Sequence, residues 1–64
     1  MMFYVVGSYV TDRERYFQTF LGAFDYLSSI SSATLDINDV MYDMIQSKMY
    51  RTDEVYMHTD VTLD

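Results

Sequence analysis

The chain has 64 residues, half of them hydrophobic, with ten carboxylates against four Lys or Arg and a formal net charge of −6 at pH 7. Such a charge repels nucleic acid and anionic lipid and attracts basic protein surfaces. The length allows one domain, residues 1–64, that buries only about 60% of the surface its unfolded chain exposes. With no cysteine, neither a disulfide nor a thiolate zinc site reinforces it.

The hydrophobic share argues for a folded chain rather than a disordered one. The longest apolar run, Met1 to Val6, is far short of the roughly 18 residues a spanning helix needs, and no basic segment precedes it as in a signal peptide. A cytoplasmic location is the expectation. Neither proline, linker nor repeat divides the chain.

Met2 to Val10 is dense in β-branched and aromatic residues and reads as a well-covered strand. Gly7 inside it implies a bulge or a close backbone approach. Thr11-Asp12-Arg13-Glu14 matches the S/T-x-x-E capping box, in which the Thr hydroxyl accepts from the Glu backbone N–H and the carboxylate reaches back. A helix is expected from there, with Phe17, Phe20, Leu21, Phe24 and Leu27 as its apolar stripe and Tyr16, Ala23 and Ile30 widening it. Ser28, Ser29, Ser31 and Ser32 end it.

Ala33 to Ile37 reads equally as a short strand or an extended lead-in. Asp36 or Asn38 can then cap a second helix with Ile37, Val40, Met41, Met44, Ile45, Lys48 and Met49 on one face. Arg51-Thr52-Asp53 makes a turn. Val55, Met57, Thr59, Val61 and Leu63 next alternate with Tyr56, His58, Asp60, Thr62 and Asp64, the period of a strand with one wet face. The order strand, helix, helix, strand predicts an α+β fold with the terminal strands antiparallel and both helices on one face of a small sheet.

Chemistry is sparse. His58 is the only histidine, and a lone imidazole without a nearby nucleophile is not a catalytic unit. With Asp60 it makes at most a two-ligand metal contact. The stretch from Asp36 lacks the glycine and the bidentate Glu of a calcium loop, since Met41 and Ser47 stand there. Asp39 and Asp43 lie one helical turn apart, but nothing in the pattern desolvates them to split their pKa values. No phosphate-binding loop, dinucleotide fingerprint or nucleophile elbow occurs. The expectation is a protein that is not an enzyme, with no cofactor, metal or catalytic residue.

The opening Phe3-Tyr4-Val5-Val6-Gly7-Ser8-Tyr9-Val10-Thr11-Asp12-Arg13-Glu14 resembles the first strand and helix start of SPOR peptidoglycan-binding domains. It covers 12 of the 64 residues. The second half-repeat of that family has no counterpart after Ser32, so the resemblance assigns no function.

What the sequence offers is surface. Asp36, Asp39 and Asp43 follow an i, i+3, i+7 path on the second helix, Asp25 lies on the outer side of the first, and Asp53, Glu54 and Asp60 lie along the last strand and its entry. Tyr42, Tyr50 and Tyr56 are interleaved with them. Tyrosine buries large area with few rotatable bonds, and charge steers encounter. The pattern predicts a small acidic inhibitor that occupies the basic, nucleic-acid-binding surface of a larger protein, as phage-encoded anti-CRISPR, anti-restriction and enzyme-inhibitor proteins do, its carboxylates standing in for the phosphates of DNA. It predicts no direct nucleic-acid or membrane partner. The alternative is a self-associating structural or accessory module, a homodimer built on apolar faces and open sheet edges.

Overall fold

The computed structural model describes residues 1–62. Leu63 and Asp64, which the alternation assigns to the end of the last strand, lie outside the described residues. The elements run β1 (Met2–Ser8), β2 (Arg13–Phe17), α1 (Phe20–Ile30), α2 (Ile37–Ser47), β3 (Met49–Arg51) and β4 (Val55–Val61). The strands form one antiparallel sheet in the order β2-β1-β4-β3. The terminal strands lie side by side at its centre, with Met2 opposite Val61 and Ser8 opposite Val55, so the fold is α+β with the expected strand-helix-helix-strand frame. A short edge strand is added on each side.

The largest departure from the sequence reading is Arg13–Phe17, expected as helix and observed as β2. The Ser8 hydroxyl, buried at the end of β1, accepts from the backbone N–H groups of Val10 and Thr11 at 3.1 and 3.3 Å. Asp12 adopts φ 58° and its N–H donates to the Ser8 carbonyl. This turn reverses the chain where the capping box was expected. The true helix start is Thr19, whose hydroxyl accepts from the Gly22 N–H at 3.1 Å. Phe17 still faces the helices, but from an edge strand rather than from the helical stripe.

The core joins Val6, Val55 and Met57 of the sheet to Ala23 and Leu27 of α1 and to Val40 and Met44 of α2. α1 packs on β1, β4 and β2, whereas α2 packs mainly on β3. Leu21, Met41 and Ile45, expected on buried stripes, are exposed. Met41 and Ile45 line, with Met2, Tyr4 and Phe20, an apolar groove of about 620 Å³ where the two helices part. Residues 33–36 form no strand and are the extended lead-in to α2.

α2 is held at both ends. Asp36 caps it, its Oδ1 accepting from the Asn38 N–H at 2.7 Å. Lys48 ends it in the left-handed conformation, φ 57°, with its N–H donating to the Met44 carbonyl at 2.9 Å. No helix among the described residues is long and apolar enough to cross a membrane.

Candidate protein-binding surface

Three surfaces are left for function: the outer side of the helices, the loop end of the sheet, and the sheet face that no helix covers. The expected acidic residues are shared among them.

The densest group is on α2. Asp36, Asp39 and Asp43 are exposed, and α2 with its N-cap carries these three carboxylates and no Lys or Arg before the C-cap Lys48. Tyr42 projects from the same outer side, 64% exposed. Tyr50 of β3 is half-buried against the core beside the helix. Burial and the nearby charges of Asp39 and Asp43 raise its phenol above the ordinary value. An acid in the first turn and a carboxylate cap also favour the helix itself, because they sit at the positive end of its dipole.

Asp25 is exposed on the outer side of α1. At the loop end, Asp53 is exposed, while Glu54 is engaged internally: its Oε1 accepts from the Ser32 N–H at 2.7 Å and from the Ser32 hydroxyl at 3.1 Å. Glu54 therefore ties the β3–β4 turn to the connection between the helices. Asp60 lies on the other side of the sheet and accepts from the Val61 N–H at 2.8 Å.

Tyr56 has a structural position that the sequence reading missed. It faces Gly7 across the β1–β4 ladder, and Gly7 faces Glu14 across the β1–β2 ladder. The hydroxyl end of the Tyr56 ring lies over Gly7, so close that a Cβ there would collide with it. Its hydroxyl donates to Glu14 Oε2 at 2.6 Å. This is the close approach Gly7 implied, with no bulge in either ladder. The bond to the Glu14 carboxylate pushes the Tyr56 phenol up to about 12. The signal in the sequence was Gly7 itself, but its partner was not legible without the strand register.

The same row of rings extends along the uncovered face. Tyr9 packs on Tyr56, Tyr56 stacks on His58, and Phe3 meets Tyr16 edge-on. His58 thus has an aromatic neighbour, and its Nδ1 lies 3.2 Å from the Thr59 carbonyl. Among the described residues no three of His, Cys, Asp or Glu come together as metal ligands. Arg15 places its guanidinium over the rings of Phe17 and Tyr26.

The structure therefore unites Asp36, Asp39, Tyr42, Asp43 and Tyr50 along α2 and β3, and separates them from Asp25, Asp53, Glu54, Tyr56 and Asp60. Compared with family models, curated proteins and solved structures, the chain finds no match.

Proposed function

We propose that this chain is a small acidic protein-binding module whose α2 face occupies a basic, nucleic-acid-binding surface of a larger protein, so acting as an inhibitor of that surface. The observation that supports it is the concentration of carboxylate on α2. At about 1.5 Å rise per residue, Asp36 to Asp43 places three charges along roughly 10 Å of helix axis. The spacing is therefore one charge per about 5 Å, about two thirds of the density of one strand of duplex DNA, which carries about one charge per 3.4 Å. Tyr42 and Tyr50 flank the row with apolar area that buries at little entropic cost. Asp25 on the outer side of α1 extends the field, and long-range attraction accelerates encounter with a cationic cleft.

The test is a side-by-side capture from a host lysate on the wild-type chain and on an Asp36→Asn/Asp39→Asn/Asp43→Asn variant. Asparagine is as good an N-cap as aspartate, so the helix survives the change. Basic, nucleic-acid-binding proteins retained by the wild type, released by raised salt and absent from the variant support the reading. Retention that is indifferent to salt and to the substitutions removes it.

Self-association is the second reading, favoured by the apolar groove between the helices and by the two open sheet edges.

A further inference from the structure

Laid out across the sheet, the ladders align in straight rows. Glu14, Gly7, Tyr56 and Arg51 share one row, Arg15, Val6, Met57 and Tyr50 the next, and Tyr16, Val5, His58 and Met49 the third. Each row begins on the β2 edge and ends on the β3 edge. The two ends of every row are chemically complementary: carboxylate against guanidinium, guanidinium against a tyrosine beside two carboxylates, and ring against thioether.

We propose that the β3 edge of one copy pairs antiparallel with the β2 edge of the next, in the register Arg51–Glu14, Tyr50–Arg15 and Met49–Tyr16. The backbone supports this register. The bonds from Tyr9 N–H to the Glu54 carbonyl and from Thr62 N–H to the Met1 carbonyl set the phase of the central ladder, so that Gly7 and Val5 direct their own groups toward β4. The N–H and C=O of Glu14 and Tyr16 then point outward from β2. The bond from Thr52 N–H to the Val55 carbonyl sets the phase on the other side, and Met49 and Arg51 point outward from β3. Outward groups therefore meet outward groups, and the straight continuation closes the ladder hydrogen bonds with no stagger.

Strand direction fits as well. Across the sheet the strands alternate, so a β2 laid beside β3 by simple translation is already antiparallel, with the helices of both copies on one face. Pairing like edges is disfavoured. With the outward groups matched, β2 against β2 opposes Arg15 to Arg15, and β3 against β3 brings two Tyr50 side chains and their neighbouring Asp39 and Asp43 charges together. Unlike edges bring opposite charges together, which selects partner and register. The contact is heterologous, so it propagates into a ring or a twisted filament rather than stopping at a symmetric pair.

This inference does not rest on the inhibitor reading, and its test leaves the α2 carboxylates intact. Sedimentation of the wild-type chain over a concentration series is expected to show reversible growth beyond monomer. Arg51→Glu, which faces Glu14 with a like charge, and Glu14→Arg, which faces Arg51 likewise, are each expected to weaken association about tenfold or more. An equimolar mixture of the two restores it, because each altered edge then meets its complement. If Glu14→Arg unfolds through loss of its bond to Tyr56, Arg51→Glu and Tyr16→Pro decide alone. Proline at Tyr16 removes an outward N–H that no internal bond uses together with a ring that packs on Phe3, so the fold is weakened but kept, which a thermal melt checks, and association should be lost. A wild type that stays monomeric at hundreds of micromolar, or association unchanged by Arg51→Glu and Tyr16→Pro, overturns the proposal.

Discussion

The two faces of the sheet are closed by different means. On one, Val6, Val55 and Met57 are sealed by Leu27 and Ala23 of α1 and by Val40 and Met44 of α2. On the other no helix of the described residues lies, yet Val5 is only 2% exposed. Its register neighbours Tyr16 and His58 flank it, and Phe3 and Tyr56 stand beside them. The covered face derives its stability from a second layer, and the uncovered face from aromatic side chains laid along the sheet itself. The helical layer is thereby free to display charge on its outer side, with α2 as the display surface.

The comparison can be broken first on the covered face. Leu27 is fully buried among both helices and the sheet, and Leu27→Ala should cost about 3 kcal/mol. In a domain this small that approaches the whole stability, so thermal unfolding should show loss of the cooperative transition near ambient temperature. A melt shifted by only a degree or two would mean the core is not centred there.

Gly7→Ala attacks the uncovered face. The added methyl displaces the Tyr56 ring and breaks its bond to Glu14, and urea unfolding should register about 2 kcal/mol. No positive φ is involved, since no glycine of the described chain has one. The cost is one of space, and a Gly7→Ala/Tyr56→Ala double variant should lose less than the sum of its single variants.

Tyr56→Phe keeps the ring and removes only the hydroxyl. It should cost about 1 kcal/mol, held down by the solvent exposure of the bond. Folding raises the phenol from 10.0 to about 12. A group raised in the folded state contributes in full below its unfolded value and loses that contribution as pH climbs through its folded value. Wild-type stability should therefore fall between pH 10 and 12 more steeply than that of Tyr56→Phe. Parallel curves would contradict the bond.

Two smaller changes sharpen the account of α2. Lys48 occupies the left-handed position that favours glycine, so Lys48→Gly should stabilise by about 0.5–1 kcal/mol. Asp39→Asn with Asp43→Asn should leave stability within about 0.5 kcal/mol, as expected of charges that serve a surface rather than the core.

These contrasts also explain what the sequence disclosed. The terminal strands, α2 with its Asp36 cap and the serine-rich end of α1 were legible because period and capping coincide there with tertiary burial. The β2 strand was not. Arg13, Glu14, Arg15 and Tyr16 are all exposed, so no apolar alternation marks them, and Thr11 to Glu14 imitates a helix start while Ser8 turns the chain. Leu21, Met41 and Ile45 follow helical spacing faithfully, but Met41 and Ile45 are left on the groove and Leu21 faces solvent. Of the surface residues, Asp36, Asp39 and Asp43, with Tyr42 interleaved, could be grouped from helical spacing alone. Glu54 could not be separated from them, because its partner Ser32 lies 22 positions away, and the bond from Tyr56 to Glu14 spans 42.

The most direct measurement of the central claim, that the α2 carboxylates present a phosphate-like row to a basic surface, is elution of captured lysate proteins from the immobilised wild-type chain by duplex DNA. The account predicts that the retained proteins are basic, that DNA releases them in competition, and that the Asp36→Asn/Asp39→Asn/Asp43→Asn variant retains none of them. An identical retained set on both chains, unmoved by DNA, would contradict it.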